Sequence, residues 1–291
     1  MKPNEILGRV TLIETPAGLT KAVVTTAVSS AEVYTHGAHI TAFQKNGEPP
    51  LLFTSAESLF APGKAIRGGV PICFPWFGNR EGDVAHGFAR TTAWQLVKTA
   101  AVSDGTIILL FALPALPARP DWKNLRTEFI VTVADKLTME LTVTNDSCDG
   151  PIMIENCLHT YFTVGDIGQV SLTGLKGHTY IDKVDNFTRK QETGDALRIS
   201  SEVDRVFPNA TGPVEIHDAS LRRKILVEKS GSASCVVWNP WIAKAKAMAD
   251  FGDEEYHRMV CVEAGNVGEN KITLAPGQSK SLKVTLGSQP L

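Results

Sequence analysis

Between Arg126 and Thr144 the chain alternates apolar and polar side chains over two successive runs. Phe129, Val131 and Val133 alternate with Glu128, Ile130 and Thr132, and Leu137, Met139, Leu141 and Val143 alternate with Thr138, Glu140, Thr142 and Thr144. A period of two puts every second side chain on one face of a pleated strand. On a helix the same pattern would scatter the apolar set around the whole circumference. The break at Ala134-Asp135-Lys136 is a tight turn, so the segment predicts a hairpin with one buried face.

The device recurs. Lys271 to Leu274 and Ser281 to Leu286 flank Ala275-Pro276-Gly277-Gln278, whose Pro and Gly suit a type II turn, and a second hairpin is expected there. Further strands are predicted at Glu32 to Tyr34, Ile40 to Gln44, Thr106 to Phe111, Pro151 to Asn156, Val170 to Gly174 and Lys224 to Glu228. The best helical pattern, Ile242 to Ala249, is short. Strands do not alternate with helices, which disfavours a parallel βαβ sheet. The expectation is an all-β protein, a large antiparallel β-sandwich with few short helices. Although 291 residues is long for one domain, large all-β folds reach this size as a single unit, and residues 1–291 are read as one domain.

Composition narrows the function classes. With 43% hydrophobic residues the chain has enough apolar side chains to fold, and no run of about 18 apolar residues spans a membrane. A formal charge of −2 gives no electrostatic footprint for nucleic acid, although a local pair of arginines can still hold a phosphate. The 5 cysteines are widely spaced with no C-x-x-C, which fits reduced thiols in a cytoplasmic protein. The N-terminus lacks the apolar core of a signal peptide. There is no phosphate-binding P-loop, no G-x-G-x-x-G after a strand, no G-x-S-x-G elbow and no H-E-x-x-H. The sequence fixes no oligomeric state, and a monomer is compatible with it.

Four segments join polar groups to aromatic and turn-forming residues, as loops lining a pocket do. Arg67-Gly68-Gly69-Val70-Pro71-Ile72-Cys73-Phe74-Pro75-Trp76-Phe77-Gly78 opens on a guanidinium suited to an anion, and its glycine pair allows close backbone approach. The same residues would serve as a core-capping loop whose Arg67 pairs with a structural carboxylate. His86-Gly87-Phe88-Ala89-Arg90 offers a second arginine, either for a phosphate or on a solvated loop. His159, within Leu158-His159-Thr160-Tyr161-Phe162, is either a core imidazole or a proton carrier near neutral pH. Glu263 ends an apolar run and precedes Ala264-Gly265-Asn266. A carboxylate there must be paired or have its pKa raised, and a raised pKa makes it a usable general base. His36-Gly37-Ala38-His39 presents two imidazoles, but no carboxylate or cysteine set completes a metal site, and none is expected. Trp238-Asn239-Pro240-Trp241 is either a stacking platform for a sugar ring or packing at a strand end.

Taken in order, these motifs, with Asp204-Arg-Val-Phe and Val237-Trp-Asn-Pro-Trp between them, resemble the hexose-phosphate mutarotase branch of the aldose 1-epimerase (galactose mutarotase-like) superfamily. The resemblance covers roughly residues 10 to 287 and implies a large antiparallel β-sandwich. It implies His159 as catalytic acid and Glu263 as catalytic base, Arg67 and Arg90 near a 6-phosphate, Asp204 as a binding carboxylate, and His86 lining the same pocket. One departure is Ala85, where the family often has Gln before the His-Gly-Phe-Ala-Arg motif. The implied substrate is a small molecule, a hexose 6-phosphate such as D-glucose 6-phosphate. The implied chemistry is exchange of its α and β anomers by acid–base opening and closure of the ring. No redox step is involved, so no cofactor is expected. Unphosphorylated aldoses, or sugar binding without turnover, are the competing readings.

Overall fold

The structure is a computed structural model and describes residues 8–291. Every named strand pairing is antiparallel, as the alternating patterns require. Among the described residues the strands form a four-stranded sheet, a two-stranded ribbon and two eight-stranded sheets, and the one α-helix is short, Trp241–Ala247. The hairpin expected from Arg126 to Thr144 is present as strands Leu125–Val133 and Leu137–Asn145. Its alternating apolar residues Phe129, Val131, Val133, Leu137, Met139, Leu141 and Val143 are all buried. One apolar cluster joins the sheets, taking Val24 and Ile40 from the four-stranded sheet, Phe129, Met139 and Leu282 from one large sheet, and Leu158, Phe207 and Val262 from the other. These facing apolar sides make the sandwich.

Two local expectations need correction. The turn at Ala275 to Gln278 forms, with the Gln278 N–H donating to the Ala275 carbonyl at 2.9 Å and Gly277 at φ 74°. Its flanking strands are not a hairpin. Ile272–Leu274 pairs with Ile152–Ile154, whereas Ser279–Pro290 lies between Leu137–Asn145 and Arg223–Ser230 in a different sheet. Likewise Pro151 to Asn156 is not one strand. Ile152–Ile154 belongs to the ribbon, and the chain then crosses to Asn156–Leu158 in the second large sheet.

That second sheet positions everything that follows. Its strands run in the order Thr188–Gln191, Thr179–Asp182, Val203–Phe207, Ser234–Asn239, Met259–Asn266, Asn156–Leu158 and Ile72–Cys73, and Tyr161–Thr163 also pairs with Met259–Asn266. Between Leu158, opposite Ala264, and Tyr161, opposite Cys261, the pairing is interrupted. His159 and Thr160 fill that interruption on one strand, and Val262 and Glu263 face it on the other. The site is therefore built at a break in a ladder, where a side chain is freed from strict alternation.

Candidate active site

Register explains which residues meet. Asp204 pairs with Trp238, Val206 with Val236, Val236 with Glu263, and Ile181 with Val206. Directly opposed residues share a face, so Ile181, Val206, Val236 and Glu263 line one side of the sheet, with Asp204 and Trp238 beside them. All six border a cavity of about 740 Å³. Arg67, His86 and His159 complete the wall from the loops, together with Phe77, Glu155, Tyr161, Lys183, Phe187 and Lys244. Five of the six residues singled out from the sequence thus meet in one cavity. The sixth, Arg90, does not line it. Its Nη2 donates to the Ala85 carbonyl at 2.8 Å, and its Nε is buried without a partner.

The centre of the cavity is the His159–Glu263 pair. Nε2 of His159 lies 3.2 Å from Oε1 of Glu263. The contact lacks hydrogen-bond alignment, so Oε1 has no bonded partner, while Oε2 accepts from the Cys157 thiol at 3.5 Å. Burial pushes the Glu263 carboxyl well above its ordinary 4.5, with the Asp204 carboxylate adding to the effect. Burial also pushes His159 well below its ordinary 6.5, reinforced by His86, Arg90 and Arg67. The imidazole is stacked on Tyr161 with centroids 4.9 Å apart and planes 14° from parallel, and Trp238 and His86 meet it edge-on at 6.0 and 5.7 Å. Its backbone N–H donates to the Pro71 carbonyl. Ring and backbone are thus fixed independently.

His86 sits at φ 64°, and Gly87 beside it at φ 74° leaves no room for a Cβ, which would lie 2.0 Å from the Phe74 carbonyl oxygen. The Gly78 N–H donates to Nδ1 of His86 at 3.4 Å, which assigns the ring proton to Nε2. Burial and the cations Arg90, Lys183 and Arg67 push its pKa down to about 3. It is a neutral donor.

Arg67 satisfies both readings of its loop. Nε and Nη2 donate to Asp250 Oδ2 at 3.2 and 3.0 Å, and Nη1 donates to the Tyr161 hydroxyl at 3.2 Å, so a structural carboxylate does hold it. A guanidinium has five N–H donors, and Arg67 still borders the cavity with donors to spare. The aromatic segment splits in the same way. Trp238 lines the cavity, whereas Trp241 packs on Tyr256 with centroids 5.2 Å apart. His36 and His39 hold carbonyls of their own neighbourhood, at Lys64 and Gly68, as structural imidazoles do.

Sequence reasoning missed three polar residues of the cavity. Lys183 Nζ lies 2.9 Å from Asp204 Oδ2, and Lys244 Nζ donates to Glu202 at 2.9 Å. Glu155 accepts from the Phe77 and Gly268 N–H groups at 3.0 and 2.7 Å, tying two loops at the rim. All three are single charged residues without a local motif. Of the groups they contact, only Asp204, the partner of Lys183, lies in a segment the sequence singles out. The donor atoms of His159, Cys261 and Glu263 lie within 4.8 Å of one another. This set is chemically able to bind a soft divalent ion, but burial holds the Cys261 thiol well above its ordinary pKa, so an ion would have to displace that proton.

The chain belongs to the aldose 1-epimerase family, whose sequence model matches residues 22–287. At finer grain it is similar to a protein of Cenchrus ciliaris named "Putative glucose-6-phosphate 1-epimerase", 37% identical over 289 residues that cover 96% of this chain and 88% of that one. A protein of the same name from Escherichia coli K12 is 34% identical, covering 81% of this chain and 80% of its own. Among solved structures, a "putative mutarotase" from Salmonella typhimurium superposes with a TM-score of 0.88 at 30% identity, over 97% of both chains.

Proposed function

We propose that this protein interconverts the α and β anomers of D-glucose 6-phosphate by opening and reclosing the pyranose ring. The observation that carries the proposal is the 3.2 Å approach of His159 and Glu263 in a single cavity. The family assignment and the relatives named above support it. Glu263 takes the proton from the anomeric hydroxyl as His159 gives one to the ring oxygen. The ring opens to the aldehyde, the C1–C2 bond rotates, and closure on the other face reverses both transfers. The pair needs one proton between its two members, and burial favours that count with the proton resting on Glu263; it passes across the 3.2 Å contact to Nε2 of His159 before Glu263 accepts the anomeric proton. Each positioned group contributes roughly 10²–10⁴-fold.

Asp204 and His86 Nε2–H bind sugar hydroxyls in this reading. Arg67, with Lys183 and Lys244, meets the phosphate, and that remote contact holds the ring against the pair. Arg90 acts on the loop, holding the Ala85 carbonyl immediately before His86. We read residues 1–291 as one domain on the strength of the shared core. Among the described residues no helix is long and apolar enough to cross a membrane, and five unpaired thiols fit a cytoplasmic location.

The test is anomer-resolved NMR exchange on glucose 6-phosphate, galactose 6-phosphate and free glucose. Wild type accelerates exchange of a hexose phosphate, and His159→Ala and Glu263→Gln each slow it by at least about 10²-fold while remaining folded. Near-normal rates in both variants would remove the catalytic assignment. A wild type no faster than buffer would leave a sugar-binding protein, and equal rates with free glucose would remove the phosphate from the recognition.

A further inference from the structure

The hairpin joining Thr179–Asp182 to Thr188–Gln191 closes through Asp185-Asn186-Phe187-Thr188, with the Thr188 N–H donating to the Asp185 carbonyl at 2.9 Å. Both central residues have positive φ, 48° at Asn186 and 59° at Phe187. This turn closes the five-residue loop 183–187, and its two central positions favour Asn followed by Gly because both lie in the left-handed region. Asn186 fits that preference. Phe187 does not, since a bulky side chain is strained there. The ring is also 66% exposed, so the strain is not offset by packing in the core. Two unfavourable features at one residue point to a use for the ring.

The placement supplies that use. Phe187 lines the cavity together with Ile181 and Lys183 of the same hairpin, and the cavity is also lined by Trp238 and His159. The turn is also clamped. Lys190 Nζ lies 2.8 Å from both Asp182 Oδ2 and Asp185 Oδ2, bridging the strand end and the first turn residue. The aromatic face is thus presented on a fixed support. Resting on the sugar reading above, we propose that Phe187 is a substrate-binding residue whose ring packs against the apolar C–H face of the bound pyranose. The phosphate and hydroxyl contacts orient the sugar, and Phe187 supplies its apolar contact and excludes water from that side.

The experiment is calorimetric titration of glucose 6-phosphate into wild type, Phe187→Gly and Phe187→Trp, with anomer exchange and thermal melting on the same samples. Glycine removes the ring and suits the backbone, so Phe187→Gly melts no lower than wild type. It binds glucose 6-phosphate about tenfold more weakly, the scale of one lost aromatic contact, and its KM rises in parallel while kcat stays within about twofold. Phe187→Trp keeps affinity within about threefold. Equal affinity in Phe187→Gly and wild type overturns the stacking role and leaves the catalytic reading intact. A lower melting temperature in Phe187→Gly assigns the ring to the fold instead and also overturns it. A wild type that binds without accelerating exchange, and loses affinity in Phe187→Gly, removes the catalytic reading while the stack stands. A wild type that does not bind removes both.

Discussion

Glu263 and His159 are each ordinary residues made unusual by where they lie. A buried carboxyl with one thiol donor prefers its proton, and an imidazole packed between Tyr161 and Trp238 prefers to be without one. In the proposed mechanism the active state carries a single proton on the pair, and activity is expected to be lost when a second is added. Because His159 is pushed well below 6.5, the acid limb of kcat/KM for hexose-phosphate exchange falls below pH 6.5, and neutral pH lies on the plateau. A pH profile placing that limb at or above 6.5 would show that the imidazole is solvated. Residue types alone left both open, a core imidazole or a proton carrier at His159 and a structural pair or a base at Glu263; the family resemblance singled out the pair, and the fold brings the two side chains together. Lys183 and Lys244 were not legible in the sequence. A lysine on a hairpin or a short helix looks the same whether it faces solvent or a cavity, and only the fold decides.

Among the elements, the glycine pair after Arg67 bears most directly on the site. Gly69 sits at φ 59°, and a Cβ there would lie 2.1 Å from the Ile40 carbonyl oxygen. Its neighbour's carbonyl accepts from the His39 ring, and its own N–H donates to Phe53. Gly69→Ala therefore loses about 2–4 kcal/mol of stability, measurable by urea unfolding, and moves Arg67 out of line with Asp250 and Tyr161. Stability within about 0.5 kcal/mol of wild type would mean that the loop relaxes freely. The need for close approach at Gly68-Gly69 was visible in the sequence, but the strand it approaches was not. The same limit explains the C-terminal turn. Pro276-Gly277 specifies a reversal locally, but a reversal does not say that its two arms pair with each other, and here they enter different sheets. Strands Val203–Phe207 and Ser234–Asn239, which carry the cavity floor, escaped sequence reading because they are short or buried along most of their length and so lack a clean alternation.

For the molecule as a whole, the buried histidines set the acid side of stability. Burial pushes both His39 and His86 down to about 3, whereas the unfolded imidazoles titrate near 6.5. Below 6.5 the unfolded chain takes up protons that the folded protein does not accept until about pH 3, so stability falls as pH drops through that window. Urea unfolding should already show the fall between pH 6.5 and about 5, before most carboxylates titrate, and His86→Gln should make it shallower. A flat response over that range would mean that these rings are protonated in the folded state. Sandwich architecture was legible from the alternation alone. Sheet order was not, because it depends on pairings between distant segments that no local pattern encodes.

Those distant pairings have a mechanical result. Ser279–Pro290 is hydrogen-bonded along both edges, to Leu137–Asn145 on one side and Arg223–Ser230 on the other. It acts as a keystone, inserted where the sheet would otherwise separate into two leaves. Proteolytic nicking of the Ala275–Gln278 turn should therefore leave the freed piece lodged in place, whereas removing that piece should open the sandwich and take the His159–Glu263 cavity with it.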